Sequence, residues 1–79
     1  MIVWHVCSGK KLALYKKNGF IKAPVRAWEE IAYAERMSVR TGKRIILRLK
    51  FPKNASKLAG HFGKARILQQ NYILDKDQY

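Results

Sequence analysis

Acidic residues are scarce in this chain, and cysteine is nearly absent. Its 79 residues include five Asp or Glu against 17 Lys or Arg, with one Cys, two Pro and five Gly. A lone Cys7 excludes an internal disulfide, and no Cys/His cluster has the spacing of a zinc site, so no metal is expected. The opening apolar run Met1-Ile2-Val3-Trp4 stops at His5, too short for a secretory signal or a spanning helix. A protein of a reducing cytoplasm is expected, with no membrane and no disulfide partner. Also missing are a glycine-rich phosphate loop, a nucleophile elbow and a carboxylate pair placed for acid/base work. Whether the protein is an enzyme stays open on these absences.

What is present is positive charge with a layout. The net charge is +12. Acids occur only at Glu29, Glu30, Glu35, Asp75 and Asp77, so the stretch from Arg36 to Leu74 carries ten Lys or Arg and no acid. Such a one-sided field favours a polyanionic partner: a nucleic acid, a phosphate-bearing nucleotide or an acidic protein surface. The plainer alternative is a solvated face that keeps a small protein dispersed. Apolar content is ordinary and no low-complexity tract occurs, so one domain over residues 1–79 with one modest core is expected.

Periodicity and punctuation predict the elements. Ile2 to Cys7 is rich in β-branched and aromatic residues and reads as a strand. Ser8 caps a helix from about Lys10 to Lys17, stopped by Asn18-Gly19. Leu12, Tyr15 and Leu14 are its candidate core residues, with Lys10, Lys11, Lys16 and Lys17 in water. Phe20-Ile21 is a short extended piece ending near Pro24. Trp28, Ile31, Ala32, Glu35 and Val39 recur at helical spacing, with Glu29 and Glu30 as dipole complements in the first turn and Gly42 as the cap. Lys43 to Phe51 alternates, Ile45, Leu47, Leu49 and Phe51 opposing Arg44, Arg48 and Lys50, and Pro52 ends that strand. Ala55 to Gly63 is a connection with room for one helical turn. Ala65 to Leu68 and Tyr72 to Leu74 close the chain as two short strands or one bent one. The expected fold is α+β, a small single sheet with two helices in the order β-α-β-α-β-β.

Two residues of the first strand have double readings. His5 is either a core histidine with a satisfied nitrogen or a ligand-binding group, the latter favoured by Trp4 before it and the Ser8-Gly9 turn after it. Cys7 is either a small buried hydrophobe or a thiol activated by His5.

A family pattern runs through these pieces. Val3-Trp4-His5-Val6-Cys7-Ser8-Gly9, the helix leading to Gly19-Phe20-Ile21, the alanine-rich Ile31-Ala32-Tyr33-Ala34-Glu35 and the basic strand Arg44-Ile45-Ile46-Leu47-Arg48-Leu49 together resemble the ADP-ribosyltransferase fold. The resemblance covers about three-quarters of the chain, in short motifs. It implies NAD as cofactor. It assigns His5 to the adenosine ribose, Ser8 and Gly9 to the nicotinamide ribose or amide, Arg26 or Arg48 to the pyrophosphate, and Gln69 or Gln70 to the catalytic position near the reactive carbon. Two departures stand out. Pro24-Val25-Arg26-Ala27 occupies the place of the family's Tyr or Ser-Thr-Ser, and a Gln stands where a Glu is usual. A carboxamide hydrogen-bonds a ribose hydroxyl but cannot act as a carboxylate.

The alternative is a nucleic-acid-binding module. Arg44, Arg48, Lys50, Lys53, Lys57, Lys64 and Arg66 would form a continuous basic stripe along a phosphate backbone. Tyr33, Tyr72 and Tyr79 are its candidate stacking surfaces. A third reading is a small protein of a phage or mobile element that occupies an acidic groove of a host protein.

Overall fold

A computed structural model describes residues 1–75. Tyr79 and Asp77, named above, lie outside the described residues. The first strand, β1 (Ile2–Cys7), runs into a helix α1 (Gly9–Asn18) capped as its sequence predicts. The Ser8 hydroxyl accepts the Lys11 amide at 3.1 Å, and Gly19 takes the left-handed φ of 78° that closes the last turn onto the Tyr15 carbonyl. A short strand β2 (Phe20–Ile21) follows, then β3 (Val25–Trp28), helix α2 (Ile31–Thr41), β4 (Ile45–Lys50), β5 (Ser56–Lys57), a single 3-10 turn (His61–Gly63), β6 (Ala65–Leu68) and β7 (Tyr72–Ile73).

The class is the expected α+β with two helices. Five antiparallel strands form the main sheet in the order β4-β1-β3-β6-β5, and β2 pairs with β7 in a small separate sheet. Among the described residues no helix is long and apolar enough to cross a membrane.

The strand β3 is an element that helical spacing conceals. Val25 and Ala27 are buried while Arg26 is exposed, so the segment has period two and pairs with β6 from Val25↔Leu68 to Trp28↔Ala65. Trp28 therefore belongs to the sheet, and a helical face counted from it has no footing. The inward face of α2 carries Tyr33, Ala34 and Met37, while Ile31 and Val39 are exposed. Glu29 and Glu30 are likewise not in a first helical turn. Glu29 accepts from Arg66 Nε at 2.8 Å and Glu30 pairs with Lys64 Nζ at 3.3 Å, tying the end of β3 to β6. Two specific ion pairs thus engage them, and Glu30, the N-cap residue of α2, still lies beside that helix's positive end.

The alternation of β4 is as expected. Leu47, Leu49 and Phe51 are buried and Arg44, Arg48 and Lys50 exposed. It pairs with β1 along its length, from Ile2↔Lys50 to Cys7↔Ile45, and Met1 and Phe51 extend the ladder through two backbone hydrogen bonds. Val3, Cys7, Val25, Leu49 and Phe51 centre the core, and Leu12 and Tyr15 pack against it from α1. Leu14, a candidate for that face, is exposed instead, since it lies about 200° around the helix from Leu12 and about 100° from Tyr15. Tyr72 also packs: its ring lies 6.0 Å from that of Phe51 and its hydroxyl accepts the Lys50 amide at 2.8 Å. Half-buried there, it is a wall of the core and not a stacking platform.

Candidate functional site

The sheet is weakest between β1 and β3. β1 pairs with β4 at six registered positions and β3 with β6 at four, but β1 and β3 are registered only at Trp4↔Trp28. Beyond that pair a side chain takes over from the backbone ladder. The imidazole of His5 bridges the gap, its Nδ1 2.6 Å from the Arg26 carbonyl and its Nε2 3.2 Å from the Tyr15 hydroxyl. A carbonyl only accepts, so Nδ1 carries the hydrogen, and Nε2 is left to accept from Tyr15. Both nitrogens of the neutral ring are satisfied inside the protein.

Burial is the main influence on His5 and lowers its pKa. The Arg26 carbonyl pulls the other way and the Lys43 charge adds to the lowering. The stability consequence has a definite sign. The unfolded chain takes up a proton near the ordinary value of 6.5 and the folded chain only at lower pH. Between those points the unfolded state binds more protons, so stability falls as pH falls, while above the ordinary value the contribution is complete. The melting temperature is expected to decline as pH drops from neutrality towards about 5, and His5→Gln to flatten that decline. An unchanged slope in the variant would contradict the assignment.

The opening between the strands is a cleft of about 670 Å³. His5, Arg26 and Trp28 come from the sheet, Met37 from α2, Lys43 from the start of the following loop, and His61 from the 3-10 turn. Arg26 and Lys43 are both exposed, and no acid occurs among the described residues that line it. The cleft is thus apolar with a cationic rim. The sequence singled out His5 and Arg26 but passed over Trp28, Lys43 and His61. Alternation across Val25 to Trp28 would have found the first, and the Gly60/Gly63 bracket around His61 marks a left-handed turn.

The remaining sequence-derived residues are dispersed. Ser8 is used as the α1 cap and Gly9 opens that helix. Gln69 and Gln70 line a second cleft of about 270 Å³ with Pro52, Asn54 and Ser56, separate from the one that holds His5. The reason is topological: they lie in the turn from β6 to β7, past the far end of β6. Cys7 is sealed in the core, where burial raises its thiol pKa against a weaker opposing pull from Lys43, so it fills space as a small hydrophobe.

The basic stripe does not run continuously. Arg44, Arg48 and Lys50 belong to β4 or its approach and Lys57 to β5, and these are opposite edges of the sheet. Four strand spacings, about 19 Å, separate the edges. Lys53 is exposed in the loop after β4. Arg66 is spent on structure, donating to Glu29 and, through Nη1, to the Ala55 carbonyl at 2.8 Å, and Lys64 is the partner of Glu30. Arg26 and Lys43, at the rim of the β1–β3 cleft, are two further exposed cations that face one cavity.

No family model matches the chain, and neither curated proteins nor solved structures give a match to it.

Proposed function

We propose that the protein binds a phosphate-bearing nucleotide in the cleft between β1 and β3. The observation that carries this reading is the pairing of two exposed cations, Arg26 and Lys43, with the indole of Trp28 around one cavity whose described lining has no acid. Guanidinium forks match phosphate oxygens in pairs, an ammonium adds a point charge, and an aromatic wall suits a base. The volume falls in the range of small-ligand sites, roughly 300–1,000 Å³. NAD is the dinucleotide that the resemblance to ADP-ribosyltransferases suggests.

In this reading His5 is a positioning residue. Its nitrogens are occupied by Arg26 and Tyr15, so it ties β1 to β3 and fixes the Arg26 backbone while its ring forms part of the wall. Group transfer would need a residue at the bond that breaks, and Gln69 and Gln70 line another cleft. The function proposed is therefore binding, in the cytoplasm.

Titration with ADP, with NAD and with inorganic phosphate, followed by amide chemical shifts, tests it. Saturable shifts at Arg26, Ala27, Trp28 and Lys43 are expected with both nucleotides and smaller ones with phosphate. Absence of any response at millimolar ADP would sink the reading.

A further inference from the structure

The cleft does not end at Trp28. Tyr33, on the first turn of α2, stacks on the Trp28 indole with ring centroids 5.6 Å apart and planes 11° from parallel. His61 meets the same indole edge-on at 5.6 Å, and Phe62 lies 5.8 Å from Tyr33. Arg36 completes the group, its guanidinium carbon 5.7 Å from the Tyr33 centroid. A chain of rings thus leads from the cleft wall to the surface, where Phe62 is 82% exposed.

The backbone is arranged to put it there. Gly60, His61, Phe62 and Gly63 all have positive φ, at 76°, 53°, 57° and 69°. Glycine adopts that region freely, whereas a histidine and a phenylalanine do so only under constraint. A large apolar ring left mostly in water on such a turn gains little for the isolated fold beyond its contact with Tyr33. It gains once something stacks on it.

The surrounding charge selects what that is. Arg36 and Arg40 lie one turn apart on α2, and Lys43 lies beyond them on the cleft rim. Glu35 is the acid on that helix, and Glu29 and Glu30 are engaged with Arg66 and Lys64. Rings interleaved with cations bind single-stranded nucleic acid, whose bases present π-faces while its phosphates meet the cations. A lone nucleotide would fill the cleft and leave the outer rings unused.

We propose that the ligand is single-stranded nucleic acid, one nucleotide lying in the β1–β3 cleft and a neighbouring base stacking on the shelf formed by Phe62 and Tyr33 beside Arg36. The inference rests on the nucleotide reading of the cleft and extends it from a mononucleotide to a strand.

The test compares ADP, a short labelled single-stranded oligoadenylate and poly-glutamate, on the intact chain and on Phe62→Asn. Asparagine tolerates the left-handed turn, and a thermal melt establishes that the variant folds. The oligoadenylate is expected to bind the intact chain more tightly than ADP. Phe62→Asn should remove roughly tenfold of that affinity, the equivalent of one stacked base, and leave ADP binding unchanged. ADP binding with no gain for the oligonucleotide, or a gain indifferent to Phe62, overturns the shelf and spares the cleft. A Phe62-dependent oligonucleotide complex without ADP binding supports the shelf and removes the mononucleotide reading. Equal binding of poly-glutamate, or no binding of either nucleic-acid ligand, overturns the proposal.

Discussion

Phe51→Ala should cost the protein about 3–5 kcal/mol of stability, the range for truncating a buried phenylalanine. The ring is 1% exposed, adjoins Tyr72 and lies in the cluster that includes Val3, Val25 and Leu49. It also directly follows β4 and continues that strand's inward alternation, and its backbone exchanges hydrogen bonds with Met1. Removing it leaves a void where the ends of β1 and β4 meet the small sheet, since Tyr72 belongs to β7. Small domains hold only about 5–15 kcal/mol in total, so much of that reserve would go. Denaturant melts followed by circular dichroism measure the change. A midpoint within error of the parent would mean that this corner is not part of the cooperative core.

Charge reversal at Arg26 and Lys43 is expected to have the largest effect on binding. Hydrogen bonds to charged groups are worth about 1.5–3 kcal/mol each, so converting both to Glu should weaken ADP binding by at least about a hundredfold. Both side chains are exposed, and neither carries an ion pair among those identified between described residues, so the fold should survive the change. The dependence of affinity on salt should flatten at the same time, because fewer phosphate charges are neutralised. Calorimetric titration at low and moderate salt measures both quantities. Reversal of Arg44 and Lys57, on opposite edges of the sheet, serves as the control of equal charge and should have a much smaller effect. Equal losses in the two double variants would indicate non-specific attraction by the net charge.

The elements that the sequence defines best are those whose signals are local. The Ser8 cap and the Gly19 stop act within a few residues of the helix they bound, and both are where the residues imply. The alternation from Ile45 to Phe51 has one face in the core because a strand can only repeat every two residues. Misreadings arise where two periods compete. Trp28, Ile31 and Ala32 fit a helix by spacing, yet Val25 to Trp28 is extended, because burial of Val25 and Ala27 between β1 and β6 outweighs local preference. Glu29 and Glu30 then fall outside the helix, and their partners Arg66 and Lys64 are 37 and 34 residues away (66 − 29 and 64 − 30), beyond the reach of any local pattern.

The candidate site was legible in part for the same reason. His5 and Arg26 stood out by residue type, but their hydrogen bond depends on two strands that share one registered pair. Lys43 and His61 carry no individual signal, and they join the cleft because α2 and the 3-10 turn close over it. Gln69 and Gln70 looked well placed by order along the chain, whereas sheet order sets distance.

By itself the sequence determined the α+β class, the two helix stops, the inward face of β4 and a strongly positive net charge, since each follows from neighbouring residues or from a sum over all of them. Only the tertiary structure decided which cations face one cavity, which are consumed by ion pairs, and that the aromatic rings from Trp28 to Phe62 form one continuous surface. Those are matters of strand order and packing between distant segments, and a one-dimensional pattern holds no record of them.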